Sequence, residues 1–293
     1  LPYVINLLIK LDKYIKPSPE VYRRVKHCGP DVLLTAPHNK TPALETEFVK
    51  VANRMSIPSA ILPLSWDNLT TKGLINVTPT SFLVWNQSQF EIANKYHFVH
   101  RSIISIVGAP VFDRWFDFQG KTISKKMADN FLHDVVGIPR GKRFILYLGS
   151  AINITGDESW LINELATELA GHPDLHDVFI LFRPHPANYG FADGINLLNC
   201  FVYPRSGALP SDVKSREEMF ISFKSAICTV GVNTSGLLDA VINDAITIAI
   251  CHSAYHSTQN QTLHFKELLN FGCMDQVRNV RDLPEKIRGI GDL

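Results

Sequence analysis

The chain has 293 residues, of which 45% are hydrophobic and 19% charged, which is typical of a globular protein and excludes a disordered or disulfide-stapled one. The 29 Lys and Arg residues balance the 28 Asp and Glu residues to a formal net charge of +1, so the chain as a whole carries no charge that would recruit nucleic acid or an anionic membrane. At ~150 residues per domain, this length predicts two domains.

The cysteines predict a reducing compartment, and the apolar runs are too short for a transmembrane segment. The five cysteines lie singly, without C-x-x-C spacing, which predicts free thiols in a reducing compartment and therefore a cytoplasmic protein. The sequence has no run of ~18 or more apolar residues, so no transmembrane segment is predicted.

The first fifteen residues, LPYVINLLIKLDKYI, have apolar side chains at helical spacing and predict an amphipathic helix. Because the chain begins without Met inside this pattern, we expect it to be a fragment whose N-terminal domain is truncated. Four apolar runs then alternate with helical patterns at residues 45–55 and 88–96. The strands predicted from these runs are residues 31–35, 59–64, 82–85 and 103–107.

A polar, glycine-containing stretch at residues 117–143 separates this half from a second one, in which the pattern restarts. The strands predicted there are residues 144–148, 178–182, 200–203, 225–230 and 245–250. Strictly alternating strands and helices are the pattern of a parallel sheet covered on both faces. We therefore predict an α/β fold of two Rossmann-like, doubly wound parallel-sheet domains, residues 1–118 and 119–293, that face a cleft.

Three loops that follow strands of the second half carry groups that hold phosphate. The predicted phosphate-binding residues are Gly149 and Ser150 in the first loop, Arg183 and His185 in the second, and Asn233, Thr234 and Ser235 in the third. The third loop leads directly into a helix, and helix N-termini bind anions because their N–H groups are unpaired. The simpler explanation for that loop is helix capping, which these residue types provide in most helices.

His185 stands between Pro184 and Pro186, so a stiff turn can aim its ring at one place. It could then donate to a phosphate oxygen beside the bidentate fork of Arg183. The alternative is a structural histidine at a turn. The chain has neither a Walker A motif nor a G-x-G-x-x-G fingerprint, which weakens ATPase and dehydrogenase interpretations.

In the first half, the loop SWDN also follows a strand, and its Asp67 is the predicted general base toward an acceptor hydroxyl, provided that a dry cleft raises the pKa of Asp67. The alternative is an Asx-turn. His38 is a second base candidate. His252 and His256 have the spacing of one helical face, but no acidic ligand lies near them in the sequence, so a polar loop is favoured over a metal site.

The segment IVGAPVFD (residues 106–113), the two domains, the RPHP turn and the VNTSG loop together resemble the GT-B superfamily of glycosyltransferases. The sequence is most similar to the branch with CDP-glycerol glycerophosphotransferases, CMP-dependent sialyl- and Kdo-transferases and surface-polysaccharide biosynthesis proteins. Sugar-nucleotide 2-epimerases are more distant relatives. The resemblance implies that His185-Pro186 and the residues from Asn233 to Ser235 contact the nucleotide phosphate. Asp239 stands where the family often has a Glu that binds the ribose.

The resemblance implies a metal-independent transferase without a cofactor. It would move a sugar or polyol-phosphate unit from a CMP- or CDP-linked donor, or as a second choice a UDP-linked one, to a glycan or lipid-linked acceptor in surface polysaccharide biosynthesis. The expected location is the cytoplasm, where peripheral association with the inner face of the membrane would fit such an acceptor. The alternatives are a sugar-nucleotide 2-epimerase, which the scarcity of carboxylates in the strand-end loops disfavours, and a non-catalytic nucleotide-binding or scaffold protein.

Overall fold

The computed structural model describes residues 11, 14–36, 44–118 and 120–290. The chain forms two compact units, Leu1–Asp113 and Arg114–Leu293, each with its own sheet. The division comes ahead of the boundary predicted after residue 118, because residues 114–118 pack on the second unit. The ring of Trp115 lies 5.8 Å from that of Phe223. His38 lies outside the described residues. The predicted N-terminal helix, residues 1–15, also lies outside them, except for residues 11, 14 and 15.

The described part of the first unit has four strands and four helices, followed by a helix that begins at its last residue. The strands are β1 (Leu33–Thr35), β2 (Ser59–Ile61), β3 (Ser81–Val84) and β4 (Ile104–Ile106). The helices are α1 (Pro19–Cys28), α2 (Leu44–Met55), α3 (Asn68–Thr71), α4 (Gln87–His97) and α5 (Asp113–Phe116). Short 3-10 turns at Arg101–Ile103 and Pro110–Phe112 flank β4.

All strands of the first unit are parallel, in the order β1-β2-β3-β4. Each strand predicted for this half is present. The second one, β2, ends at Ile61, two residues ahead of Pro63, which has no N–H for a sheet ladder. Phe82 and Val84 of β3 are fully buried in the core. Helix α4 begins where the Asn86 side chain accepts the Gln89 N–H.

The second unit contains six strands and seven further helices in its described residues. The strands are β5 (Phe144–Leu148), β6 (Phe179–Arg183), β7 (Cys200–Val202), β8 (Thr229–Gly231), β9 (Thr247–Ile250) and β10 (Asp275–Val277). The helices are α6 (Lys125–Asp129), α7 (Ile152–Thr155), α8 (Ser159–Gly171), α9 (Val213–Ser225), α10 (Gly236–Ile242), α11 (Leu263–Phe271) and α12 (Leu283–Arg288). A π-helical turn, Asn130–Val136, continues α6.

The second sheet is also entirely parallel, in the order β10-β9-β8-β5-β6-β7. The chain therefore starts in the middle at β5, builds outward to β7, and returns to the other side of β5 to add β8. This is the order of the doubly wound Rossmann fold, in which ligands bind at the carboxyl ends of the strands on either side of the reversal. The predicted Rossmann-like domain is confirmed, and its crevice lies between β5 and β8.

Burial on both faces explains the continuous apolar runs from which the strands were predicted. Every residue of β5 is buried, and Leu161 and Leu165 of α8 pack against the same core. The sequence does not predict the edge strand β10, because two of its three residues, Asp275 and Gln276, are polar and exposed. In the described ranges no helix is long and apolar enough to cross a membrane.

Candidate functional site

The three loops singled out in the sequence meet in one pocket at the carboxyl ends of β5, β6 and β8. The predicted residues that line it are Gly149, Arg183, His185, Thr234, Ser235 and Asp239. The fourth side of the pocket is formed by Leu209 and Pro210 in the loop after β7 and by Met219 in the middle of α9. The pocket thus combines polar groups on the strand-end loops with an apolar wall that the sequence did not indicate.

Glycines allow these loops to approach one another closely. The Gly149 N–H donates to the Arg183 carbonyl at 3.0 Å, and a Cβ on Gly149 would lie 3.0 Å from the His185 backbone nitrogen. Gly207 has a left-handed φ of +62°, and a Cβ there would lie 2.8 Å from the His185 carbonyl oxygen. The backbone of His185 is therefore enclosed from two sides by glycines, of which sequence reasoning missed Gly207.

Arg183 ends β6 as a buried cation in the wall of the pocket. Its side chain is only about 6% exposed, and its Nη1 has no hydrogen-bond partner among the described residues. The guanidinium lies 5.7 Å from the centre of the Tyr203 ring, and the Tyr203 hydroxyl donates to Glu218 Oε2 at 3.0 Å. Burial lowers the pKa of Arg183 to about 10, so the group stays charged at neutral pH. A buried cation with an unpaired nitrogen favours binding of an anion, because burial without a partner is costly.

The turn around His185 fixes which ring nitrogen carries the proton. Nδ1 accepts the Ala187 N–H at 3.0 Å, and the His185 carbonyl accepts the Asn188 N–H at 2.8 Å. Burial lowers the pKa of His185 below its usual value of 6.5, so the neutral ring predominates at pH 7. With Nδ1 occupied as an acceptor, the proton lies on Nε2, which makes this nitrogen a hydrogen-bond donor.

The loop after β8 divides into residues that line the pocket and one that lies behind it. Ser235 precedes α10, is exposed, and makes no side-chain capping bond, whereas Thr234 Oγ1 accepts the Gly236 N–H at 3.4 Å. The capping explanation therefore fits Thr234 but not Ser235. Asn233 donates its side-chain Nδ2 to the Thr258 carbonyl at 2.7 Å and does not line the pocket.

Ser150 is placed behind the pocket rather than in it. It is 0% exposed, and its Oγ accepts the backbone N–H of Asn233 at 3.1 Å. Both side chains bond to the protein and neither lines the pocket, so a phosphate contact by Ser150 or Asn233 stays a prediction. Their role is to join the loop after β5 to the loop after β8.

Asp239 lies in the pocket wall with one carboxylate oxygen already engaged. Oδ1 accepts hydrogen bonds from the Trp115 indole and from Arg114 Nη2, the latter at 3.4 Å. Burial raises the pKa of this carboxyl, while Trp115 and Arg114 act to lower it. A ribose contact by Asp239 stays a prediction, and Trp115 and Arg114 hold the side chain in place for it.

Asp67, in the first unit, does not have the raised pKa that a general base would need there. Burial acts to raise its pKa, but hydrogen bonds from Ser65 and Thr71 and the charge of Lys72 outweigh this and lower it. Lys72 Nζ lies 3.1 Å from Asp67 Oδ2. The carboxylate therefore organises its own loop, but it does so through the side chains of Ser65, Thr71 and Lys72 and not through the backbone bond of the Asx-turn in the alternative interpretation. The second base candidate, His38, lies outside the described residues.

His252 and His256 lie on either side of a 3-10 turn, Ser253–Tyr255. They therefore do not share one face of an α-helix. The His252 ring packs on Trp160 with ring centres 5.0 Å apart, and its Nδ1 accepts the Ala254 N–H at 3.2 Å. Among the described residues, no group of three or more His, Cys, Asp or Glu side chains could hold a metal ion.

No family model matches this sequence, and no curated protein matches it. The fold, however, is similar to that of solved enzymes. UDP-GlcNAc 2-epimerase from Neisseria meningitidis, bound to UDP-GlcNAc, aligns with a TM-score of 0.63 at 11% identity, covering 94% of this chain and 74% of the epimerase. The UDP co-structure of MnaA from S. aureus aligns with a TM-score of 0.62 at 10% identity, covering 92% of this chain and 68% of that one.

A glycosyltransferase is similar as well. SnogD from Streptomyces nogalater aligns with a TM-score of 0.50 at 12% identity, covering 92% of this chain and 70% of the transferase. Such low identities show the fold alone. The chain therefore has the GT-B-like fold of two parallel-sheet α/β domains that nucleotide-sugar epimerases and glycosyltransferases share.

Proposed function

We propose that this chain is an enzyme that binds a nucleotide-activated sugar and holds its diphosphate in the pocket between β5, β6 and β8. The observation that carries the proposal is Arg183, a buried cation in the pocket wall whose Nη1 lacks a partner among the described residues. A diphosphate would supply that partner with charge-assisted hydrogen bonds.

Two further groups support a diphosphate in this pocket. The Nε2–H of His185 and the exposed hydroxyl of Ser235 are donors at the same pocket, on the loops after β6 and β8. All three groups come from strand ends beside the reversal of strand order, where this fold class binds its ligands. Together they would offer a diphosphate the positive charge of Arg183 and two further hydrogen-bond donors.

The apolar wall supports a nucleoside beside the diphosphate. Leu209, Pro210 and Met219 line the side of the pocket away from β8, and a flat base can pack on such a surface. Uridine is our first choice of base, because solved structures of the same fold contain UDP or UDP-GlcNAc. Cytidine, which the sequence resemblance implies, is the second choice.

For the chemistry, the first candidate is glycosyl transfer. In that reaction the bond between the anomeric carbon and the diphosphate oxygen breaks and the acceptor oxygen bonds to the anomeric carbon. The acceptor hydroxyl passes its proton to the departing diphosphate or to water. Arg183 and His185 would stabilise the charge that develops on the departing diphosphate. Asp67 is no longer our choice for the base, because its pKa is lowered by its own loop.

The second candidate is 2-epimerisation of the sugar, which several enzymes of this fold perform by their printed names. Proton removal and return at carbon 2 require acid and base groups at the sugar. Among the described residues that line this pocket, Asp239 is the one carboxylate, and its Oδ1 is already bonded to Trp115 and Arg114. The solved structures nevertheless favour this candidate, because several of them are UDP-GlcNAc 2-epimerases by their printed names and align with higher TM-scores than the glycosyltransferase.

A panel of nucleotides and a product assay test the proposal. We expect UDP, and secondarily CDP or CMP, to raise the melting temperature, and His185→Ala to remove most of that shift. With UDP-GlcNAc as substrate, release of UDP that depends on an added acceptor indicates transfer, whereas a changed configuration at carbon 2 indicates epimerisation. Binding without turnover of any sugar nucleotide would leave a non-catalytic binding protein, and no shift with any of these nucleotides would refute the phosphate pocket.

A further inference from the structure

Glu158 lies immediately behind the pocket, at the start of α8, and does not line the pocket. It is 0% exposed. Its Oε1 accepts the Ser150 N–H at 3.0 Å and the Thr155 hydroxyl at 2.6 Å, so it closes the loop that runs from β5 to α8. Sequence reasoning did not find it, because a Glu before a helix is ordinarily solvent-exposed.

Ser150, the residue that Glu158 holds, is bonded to all three loops of the pocket. Its N–H bonds to Glu158 in its own loop, and its Oγ accepts from the Asn233 N–H, at 3.1 Å, in the loop after β8. Its carbonyl accepts from Asn188 Nδ2 at 3.0 Å, and the Asn188 N–H in turn bonds to the His185 carbonyl at 2.8 Å. A shift of Ser150 would therefore displace the residues around both His185 and Asn233.

We propose that Glu158 is a positioning residue of the phosphate pocket, which fixes Ser150 and through it the turn of His185 and the loop that carries Ser235. The inference rests on the proposed function, since it assigns a role in phosphate binding. It extends that function to a buried residue that does not line the pocket and acts on it through Ser150.

The buried carboxyl also makes the pocket sensitive to pH. Burial raises the pKa of Glu158 to about 7, against hydrogen bonds that lower it. The titratable groups that face it are Tyr147 of β5 and Tyr255, both with pKa values raised above 10, and Asp157 is its chain neighbour. Between pH 6 and 8 Glu158 therefore gains a charge while the two tyrosines stay neutral.

The two charge states of Glu158 differ in what they offer a phosphate ligand. Neutral Glu158 can still accept both hydrogen bonds at Oε1, with its proton on Oε2 and the Tyr147 hydroxyl as a neighbouring hydrogen-bonding group. Ionised Glu158 places a negative charge behind a site for anions, and like charges disfavour each other. Phosphate binding should thus favour the neutral form, and affinity should fall as the pH rises through about 7.

Hydrogen exchange tests the positioning role without any ligand. We compare the wild type with Glu158→Ala, Glu158→Gln and, as a control, Glu168→Ala, which changes a more exposed carboxylate of the same helix α8. Glu158→Ala should speed exchange both at residues 149–156 and at residues 231–236, which are distant in sequence. Glu158→Gln and Glu168→Ala should leave exchange at residues 231–236 slow. Unchanged exchange there in Glu158→Ala would overturn the proposal.

Binding of UDP between pH 6 and 8 tests the link to function. The ratio of the wild-type dissociation constant to that of Glu158→Gln cancels the titration of UDP and of His185, which both proteins share. We expect a ratio near one at pH 6 that rises severalfold by pH 8, and a loss of roughly tenfold or more in Glu158→Ala at every pH. A flat ratio would refute the pH dependence assigned to Glu158, and full affinity in Glu158→Ala would refute its positioning role in binding.

These outcomes separate the two proposals. If the wild type binds no nucleotide, the proposed function fails, and slow exchange at residues 231–236 in Glu158→Ala would then overturn the positioning role as well. If nucleotides bind but Glu158→Ala keeps the wild-type affinity and slow exchange at residues 231–236, the proposed function stands and the inference about Glu158 fails. If Glu158→Ala does not fold, Glu158→Asp, whose carboxylate is one carbon shorter, takes its place in both measurements.

Discussion

Replacing Gly207 with alanine should displace the turn that presents His185. Two costs add at this position. An L-residue at a left-handed φ of +62° costs ~1–2 kcal/mol. The new Cβ would also lie 2.8 Å from the His185 carbonyl oxygen and 3.0 Å from Pro186 Cα, both backbone atoms that cannot rotate away, and such overpacking costs ~1–3 kcal/mol. We therefore expect Gly207→Ala to lose ~2–5 kcal/mol of unfolding free energy.

Urea unfolding followed by circular dichroism measures this loss, and Gly272→Ala is the matched control. Gly272 has nearly the same φ, +65°, but no atom lies within 4 Å of the position of its Cβ. The control thus carries the backbone cost without the clash, and Gly207→Ala should be less stable than Gly272→Ala. The folded Gly207→Ala protein should also bind UDP more weakly. Equal losses in the two variants would refute the close approach of this loop to His185.

Three further predictions concern buried or bonded polar groups. The pKa of Asp67 is lowered from 3.8, so its contribution to stability is present above that pH and lost as pH falls through the folded pKa; Asp67→Asn should remove this acid dependence in urea unfolding at pH 3–6. For Glu158 the sign is opposite, because its pKa is raised from 4.5 to about 7. Its contribution to the free energy of unfolding is present below pH 4.5 and is lost as the pH rises through about 7, by at most ~3 kcal/mol. Glu158→Gln should remove this pH dependence in urea unfolding. Trp115→Phe keeps a ring against Phe223 but leaves the buried Asp239 with one donor fewer, which should cost ~1–3 kcal/mol of unfolding free energy by thermal or urea denaturation.

The strands of both sheets could be predicted because parallel strands that are buried on both faces have short, continuous apolar sequences. The segment FILYL of β5 is an example, and all its residues are buried. The exception, β10, is an edge strand with polar exposed residues and leaves no such run. The convergence of Gly149, Arg183 and the loop after β8 could also be predicted, because the carboxyl ends of parallel strands share one edge of the sheet.

What the sequence could not show depends on contacts between distant residues. The pKa of Asp67 depends on Ser65, Thr71 and Lys72, whose side chains turn toward it only in the folded loop, so a base and a loop anchor have the same sequence pattern. Ser150 looks like a phosphate ligand in sequence, yet its hydroxyl is used by Asn233, 83 residues away. Glu158 gives no signal because its burial is set by the packing around β5 and α8.

The most direct test of the phosphate pocket is the dissociation constant of UDP for the wild type and for Arg183→Lys, measured by isothermal titration calorimetry at pH 7. Lysine keeps the charge but not the fork of donors, and Arg205→Lys, at an exposed arginine of the same unit, is the control. We predict saturable binding that Arg183→Lys weakens roughly tenfold or more and that Arg205→Lys leaves unchanged. Binding of neither UDP, CDP nor CMP, or equal affinity of Arg183→Lys and the wild type, would contradict the phosphate pocket.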